Sequence, residues 1–278
     1  MRINPPIPFG GSKLKQADSR SHAFTVVELV VVLGLIVVLA GLLISSLDTA
    51  RRKAMRMTCL DNLKQLQLAW SLYADDNDDR IPLNQGIPSV VGNKFARRLT
   101  TNSWVSGNPR EDLTTASVQK GTLYPYVRTV EVFRCPVDGS HVPAHPNSER
   151  TRSYSMNSYL GADNSSSDPR VKMKVSDLSR PGPSRTFVFI EEHENSIWTS
   201  GFLVIPAKQA ALVASSMIPS STPSDRHEKG AHLTFADSHI EYWRWYTPKG
   251  QTAAGVHLSS DSLEKLDVAR LQSVIPQP

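Results

Sequence analysis

The chain has 278 residues, of which 40% are hydrophobic, and it carries a formal charge of +5. This length fits one globular domain together with a membrane anchor. A basic chain can bind nucleic acid, but Lys and Arg do not cluster with aromatic residues here, so composition argues against that partner.

A long apolar run begins near the N-terminus. Residues 29–47 contain no charged residue and consist mainly of Val, Leu and Ile, which is long enough for a helix that crosses a bilayer. A cleavable secretory signal has a shorter apolar region and a small-residue cleavage site, which this segment lacks. We therefore expect a helix that stays in the mature protein. Basic residues flank it on both sides, so charge alone leaves its orientation open.

An acidic residue, Glu28, lies at the start of this apolar run. An ionisable group at such a position is costly and usually marks a functional contact. Pairing with a positive charge would offset much of that cost and could set the register of a neighbouring subunit. The alternative is that Glu28 simply lies at the headgroup boundary.

Residues 23–32, AFTVVELVVV, resemble the prepilin cleavage and methylation motif of type IV pilins and type II secretion pseudopilins. The resemblance implies a cytoplasmic leader at residues 1–23, removed by prepilin peptidase between Ala23 and Phe24, and N-methylation of Phe24. It also places Glu28 at the fifth mature position, where it could neutralise the new amino group of a neighbouring subunit. Ala23 departs from the family, which usually has Gly before the cut.

The helical pattern continues beyond the membrane segment, because apolar residues recur at three- and four-residue steps. We expect one helix over residues 24–75, with a transmembrane segment at about 24–47 and a second half that packs on a head formed by residues 76–278. The apolar stripe of this second half comprises Met57, Leu60, Leu63, Leu66, Trp70 and Tyr73.

An acidic run follows the predicted helix, from Asp75 to Asp79, and its alternating oxygen ligands resemble the start of an EF-hand loop. Arg80 stands where that loop needs Gly, and Gly86 stands where it needs a closing Glu. We interpret the run as a solvated turn. Calcium is the alternative, and no other cofactor is expected.

The head consists of short apolar segments punctuated by Pro, Gly, Ser and Asn, which predicts an antiparallel β-sheet. A final helix is predicted at residues 261–275, where Asp261 can cap the first turn. The predicted fold class is therefore α+β and pilin-like, with a long N-terminal helix packed on an antiparallel sheet. Strand candidates lie at residues 103–105, 130–133, 186–190, 232–235 and 239–245.

His227 and Asp237 are spaced as in the H-X9-DG signature, and they resemble a pilin-like family found in Planctomycetes and Verrucomicrobia. The segments beginning at Cys59 (CLDNLKQL), Arg134 (RCPVD) and residue 153 (SYSMN) also resemble that family, so the resemblance spans most of the chain. It implies no activity for the head.

Two alternating runs meet at Asp237 and Ser238 and predict a β-hairpin. Ser238 stands where the family has Gly, at a turn that favours positive φ. We expect His227 and Asp237 to hydrogen-bond to each other and so to fix this hairpin.

The two cysteines, Cys59 and Cys135, lack the CxxC spacing of zinc or redox motifs. A bridge between them in an oxidising periplasm and two unpaired, half-buried thiols both remain open.

Histidines and acidic residues of the head have the chemistry of metal ligands, but HExxH and G-x-S-x-G spacings are missing. His232 and His239 are expected to point toward solvent from different strands. We therefore expect neither catalytic residues nor a metal site. The residues considered are Glu191, Glu192, His193, His227, His232, Asp237 and His239.

These features together predict a non-enzymatic pilin-like or pseudopilin subunit of a type II secretion or type IV pilus-like assembly. Its expected location is the bacterial inner membrane, with the head in the periplasm, and its expected partners are prepilin peptidase and other pilin-like subunits. One alternative is a permanently anchored periplasmic binding protein that uses a pilin-type export signal. A further alternative is an anchored metal hydrolase.

Overall fold

The computed structural model describes residues 25–84, 89–91, 94–96, 102–162, 168–206, 221–249 and 262–278. The predicted leader, the cleavage pair Ala23 and Phe24, and the predicted cap Asp261 lie outside these residues. The chain divides into two compact units, residues 1–50 and residues 51–278.

Helix α1 spans Val26–Asp76 and confirms the predicted long N-terminal helix. A reciprocal capping box starts it: Glu28 Oε2 accepts the backbone N–H of Thr25 at 2.9 Å, and Thr25 Oγ1 accepts the backbone N–H of Glu28 at 3.2 Å. These bonds satisfy two donors that the first helical turn would otherwise leave unpaired.

In the first unit, the large apolar side chains of α1 that the structure describes are exposed. An 18-residue window of the helix has a mean hydropathy of 3.0, and none of it is buried. By length and composition this helix can cross a membrane. The exposed side chains are Val26, Val27, Leu29, Val30, Val31, Val32, Leu33, Leu35, Ile36, Val37, Val38, Leu39, Leu42 and Leu47.

In the second unit, one face of α1 is buried in the core. Leu63, Leu66 and Trp70 are buried as their spacing predicts, and Cys59 continues the same face one turn earlier. Met57 was expected on this face but is 61% exposed, because it lies half a turn away from Cys59.

The strands and short helices of the second unit follow α1 in chain order. The strands are β1 (Ser89–Val91), β2 (Lys94–Ala96), β3 (His141–Val142), β4 (His145–Glu149), β5 (Tyr154–Asn157), β6 (Phe187–Glu191), β7 (Gly201–Phe202), β8 (Gly230–Phe235) and β9 (Ile240–Arg244). The helices are α2 (Ala116–Gln119), α3 (Tyr124–Val127) and α4 (Ser262–Gln272), with 3-10 turns at Glu131–Phe133, Val175–Asp177 and Pro183–Arg185.

A five-stranded sheet with the order β7-β5-β6-β8-β9 organises the described part of this unit, beside the two-stranded pairs β1-β2 and β3-β4. The predicted antiparallel arrangement is confirmed for β5-β6, β6-β8 and β8-β9. It is wrong for β5-β7, which run parallel. After β6 the chain crosses to the other edge of β5, where β7 pairs. Because β7 runs opposite to β6, it is parallel to β5.

Three of the predicted strands are present as β6, β8 and β9, and α4 confirms the predicted final helix. The strands predicted at residues 103–105 and 130–133 are wrong. Trp104 is buried without strand pairing, and Phe133 ends a 3-10 turn. Their rings stack with centroids 6.2 Å apart, so these short apolar runs are explained by aromatic packing, which sequence periodicity cannot distinguish from a buried strand.

Two hydrophobic cores lie in this unit. The first contains the buried face of α1 with Trp104, Phe133 and Phe189. The second contains Ile190, Leu233 and the α4 residue Leu271. β6 contributes to both cores, with Val188 and Phe189 in the first and Phe187 and Ile190 in the second, whereas the buried apolar residues of β8 lie in the second.

We expect truncation of the buried face of α1 to destabilise the head strongly. Leu63 is fully buried, whereas Leu68 on the same helix is 59% exposed. Leu63→Ala should lower the free energy of unfolding by about 2–5 kcal/mol, because it removes buried apolar surface and leaves a cavity. Leu68→Ala should change it by no more than about 0.5 kcal/mol.

The measurement is urea unfolding of the full chain in detergent, followed by tryptophan fluorescence. Since both substitutions replace Leu with Ala in one helix, helix propensity changes equally. Equal destabilisation by the two variants would contradict the packing described for α1.

Candidate functional site

Ionisable side chains from several elements meet at the face of the sheet that packs against α1. We call this group the Glu191 cluster, and every member is buried. Its members are Cys59 of α1, Cys135 after the Glu131–Phe133 turn, Tyr154 of β5, Glu191 of β6, His227 before β8 and His232 of β8.

Strand register explains how these residues come together. Tyr154 pairs directly with Glu191 between β5 and β6, and Ile190 pairs with Leu233 between β6 and β8. Neighbouring residues of a strand face opposite sides of the sheet. Because Ile190 and Leu233 face the second core, Glu191 and His232 face α1 and meet Cys59.

Glu191 lies at the centre of the cluster. Its Oε1 accepts a hydrogen bond from Cys59 Sγ at 3.0 Å and lies 3.1 Å from His232 Nδ1. Its Oε2 lies 3.2 Å from His227 Nε2, but makes no hydrogen bond. A buried carboxylate oxygen without a hydrogen bond is unusual and calls for a positive charge nearby.

The two outer members complete the contacts. Tyr154 Oη lies 3.0 Å from Cys59 Sγ, and Cys135 Sγ lies 3.3 Å from His227 Nε2. The cluster therefore forms one connected network between α1 and the sheet.

Opposite charges perturb the ionisation of the central residues. Burial favours the neutral form of Glu191, but the close contacts and charge of His227 and His232 outweigh it and lower the pKa of Glu191 to about 2. Burial likewise disfavours the charged ring of His227, but its contacts with Cys135 and Glu191 raise the pKa to about 10. Glu191 is thus charged at neutral pH.

The two thiols differ in their ionisation. Burial raises the pKa of Cys59 well above its usual range, and the neighbouring Cys135 and the charge of Glu191 act in the same direction. Cys59 lowers the pKa of Cys135 to about 6 against the effect of burial, with further help from His227. The Cys59 thiol itself donates to Glu191 Oε1.

Four of these side chains have the arrangement of metal ligands. Cys59, Glu191 and the two histidines each offer one ligand atom, and these atoms lie within 4.8 Å of one another. Thiolate, imidazole and carboxylate are the ligand types that zinc prefers. The sequence predicted no metal site and did not indicate that these four residues would be grouped.

The pair of Cys135 and His227 also has the chemistry of a nucleophile and its base. However, Cys135 and Glu191 both approach the same ring nitrogen, Nε2 of His227, whereas a catalytic base is held by its other nitrogen. Cys135 is also fully buried, so a substrate cannot reach it. The geometry fits ligand binding better than nucleophilic catalysis.

Two sequence-based expectations about the histidines are wrong. His232 is only 4% exposed, because β8 is an inner strand whose face is covered by α1. His227 contacts Glu191 and Cys135, while Asp237 contacts His239. The expected bond between His227 and Asp237 fails because the six residues of β8 separate them by about 20 Å.

The structure has Cys59 and Cys135 as free thiols. Both are fully buried, whereas the sequence left open a bridge or two half-buried thiols. The sequence did not indicate that both cysteines would belong to one cluster with Glu191. The four grouped residues are far apart in the chain and form no local motif. The positions of Glu191 directly after one predicted strand and of His232 at the start of another were the only sequence signal that they could share one face of the sheet.

The acidic run at the end of α1 does not converge on one point. Asp76 Oδ2 accepts a hydrogen bond from the Tyr126 hydroxyl at 3.1 Å, and Asp79 accepts the backbone N–H of Ser176 at 3.0 Å. The Asn77 side chain donates to a backbone carbonyl of α1 at 2.7 Å. These separate partners favour the predicted turn over a calcium loop.

Comparisons with protein-family models, with curated proteins and with solved structures find no match. The functional argument therefore depends on the chain's own residues and their geometry.

The turn between β8 and β9 confirms the predicted hairpin, and Ser238 has a positive φ of 74° there. A side chain with a Cβ is strained in this conformation, whereas glycine adopts it freely. We expect Ser238→Gly to raise the free energy of unfolding by about 0.5–1 kcal/mol.

Ser238→Ala is the matched control, because it removes the hydroxyl but keeps the Cβ. It should be no more stable than the wild type in the same urea titration. Stabilisation by Ala equal to that by Gly would mean that the hydroxyl, and not the backbone conformation, is responsible.

Proposed function

We propose that this protein is a non-enzymatic, pilin-like subunit that α1 anchors in the bacterial inner membrane and joins to other pilin-like subunits, with the head in the periplasm. The observation that carries the proposal is helix α1 itself. One helix contains a segment with a continuous run of exposed large apolar side chains and a segment whose apolar face is buried in an α+β head.

The exposed apolar segment needs an apolar environment. A soluble protein rarely exposes a continuous apolar surface of this kind, and such surfaces mark contacts with a membrane or a partner. Lipid can cover it in the membrane, and apolar helices of neighbouring subunits can cover it in a filament. A pilin-like subunit encounters both of these environments.

Glu28 supports the assembly role, although it also has a local role. Its Oε2 caps α1 through Thr25. Its Oε1 makes no hydrogen bond within the described part of the chain, so the same carboxylate can cap its own helix and accept an amine from a neighbour. In the proposed mature protein that amine is the methylated N-terminus at Phe24, produced when prepilin peptidase cuts after Ala23.

Capping alone also explains why an acidic residue stands at Glu28, and this competing explanation fits a solitary anchored protein of the binding type. The two explanations differ in what they require of the side chain. A cap requires only a hydrogen-bond acceptor, whereas pairing with an amine in an apolar environment requires negative charge.

Glu28→Gln separates the two roles, because Gln can still form a capping box but carries no charge. We expect crosslinks between α1 helices of neighbouring subunits to fall by about tenfold or more, since an amine buried without its counter-charge is strongly disfavoured. The crosslinks are formed in cells of the native host by a photoreactive residue placed at Leu35.

Thr25→Ala is the matched control, because it weakens the cap but keeps the charge of Glu28. It should retain most of the crosslinks. Wild-type crosslinking in Glu28→Gln would assign Glu28 to capping only and would favour the solitary anchored protein.

Mass spectrometry of the protein from the same cells tests the processing step independently. A mature chain that begins with N-methylated Phe24 is the expected result. A chain that still begins at Met1 would refute processing by prepilin peptidase.

A further inference from the structure

We propose that the Glu191 cluster binds one Zn²⁺ through Cys59 Sγ, a Glu191 carboxylate oxygen, His227 Nε2 and His232 Nδ1, and that this ion locks the second half of α1 onto the sheet. The inference goes beyond the proposed function, since a pilin-like subunit does not require a metal in its head.

The distances between the ligand atoms suit a tetrahedral ion. Zinc bonds of about 2.0–2.3 Å imply ligand atoms separated by roughly 3.3–3.8 Å. Cys59 Sγ and His232 Nδ1 lie 3.0 and 3.1 Å from Glu191 Oε1, His227 Nε2 lies 3.2 Å from Oε2, and the ligand atoms all lie within 4.8 Å of one another. The widest separation exceeds the tetrahedral value by about 1 Å, so a contraction of that size would complete the site.

The charge of the cluster favours a cation. Glu191 is fully buried, and its Oε2 makes no hydrogen bond although it points toward His227. Zinc binding would satisfy this oxygen. With Cys59 as thiolate, Cys59 and Glu191 supply two negative charges to match the two positive charges of the ion.

Proton release accompanies this binding. The Cys59 thiol loses its proton to solvent, and Nε2 of His227 gives up any proton that it carries, because both atoms bind the ion in the deprotonated form. No oxidant or reductant takes part, because zinc does not change its oxidation state.

The surrounding residues can hold the ligands in place. Tyr154 Oη lies 3.0 Å from Cys59 Sγ, and the Tyr242 ring lies 5.4 Å from the ring of His232. Such contacts orient metal ligands and tune their basicity. Since Cys59 belongs to α1 while Glu191 and His232 belong to β6 and β8, the ion would crosslink the helix to the sheet at its centre.

The main competing chemistry is a disulfide between Cys59 and Cys135, which are both buried free thiols of this cluster. A disulfide would consume Cys59 and exclude the metal. It would also leave the Glu191 carboxylate and both histidines buried without an ion, which is why the four ligands together favour zinc.

The first measurement uses the full chain, purified in detergent under reducing conditions without a polyhistidine tag. Elemental analysis should find one zinc per chain. Replacement of zinc by Co²⁺ should give the visible absorption of a tetrahedral site together with a thiolate-to-cobalt charge-transfer band. This spectrum reports on the wild type, so it does not depend on any variant folding.

Variants then identify the ligands. Cys59→Ser should lose the charge-transfer band and most of the zinc, and His232→Gln should bind zinc about 10–100 times more weakly. Cys135→Ser should keep the zinc, because Cys135 is outside the ligand set and its loss prevents the disulfide. His239→Gln is the matched control for His232→Gln. His239 lies in the same hairpin, but its side chain is 38% exposed.

Chelation provides a readout of the structural role. If zinc is present at about 100 times its Kd, its removal should lower the Tm of the head by about 5–10 °C. The Tm of Cys59→Ser should not respond to the chelator.

Three results would overturn the proposal. The first is that the reduced wild-type protein holds no zinc and shows no charge-transfer band with Co²⁺. The second is a Cys59–Cys135 disulfide in protein isolated from cells. The third is full zinc content in Cys59→Ser. None of these results bears on whether Glu28 mediates assembly.

Discussion

The burial of one face of α1 against the sheet is the contact on which the rest of the head depends. Cys59, Leu63, Leu66 and Trp70 follow one another at helical spacing and close the first core. β5 and β6 contribute Tyr154, Met156, Val188 and Phe189 to this core, so the sheet cannot pack fully without the helix. The helix is therefore a structural element of the head as well as a candidate anchor.

Polar groups within this packing restrict the head to fewer alternative packings than a purely apolar core would. Glu191 and Glu192 are adjacent and both fully buried, but they lie in different environments. Histidines lower the pKa of Glu191 to about 2 despite its burial, whereas burial raises the pKa of Glu192 to about 7 even though Ser155, Ser196 and other donors oppose it. The alternation of side chains along a strand produces this contrast.

Buried ion pairs and charged hydrogen bonds rarely add much net stability, but they penalise alternative packings that would leave a charge unpaired. Arg152 is an example, because it is fully buried and its guanidinium donates to the backbone carbonyl of Tyr154 at 3.3 Å. Lys249 and Asp267 are another, with 2.7 Å between Nζ and Oδ2, and they tie α4 to the end of the β9 segment. Such pairs allow one arrangement of helices on the sheet and disfavour others.

The sequence by itself determined the elements whose signals are local. The length and period of α1, the alternation in β8 and β9, the hairpin between them and the final helix follow from the spacing of neighbouring residues. Only the tertiary structure decided the position of β7, the aromatic packing of Trp104 and Phe133, and the meeting of Cys59 with Glu191, His227 and His232. These features join residues far apart in the chain, and their contacts depend on strand order and on which face of the sheet α1 covers, which no local spacing encodes.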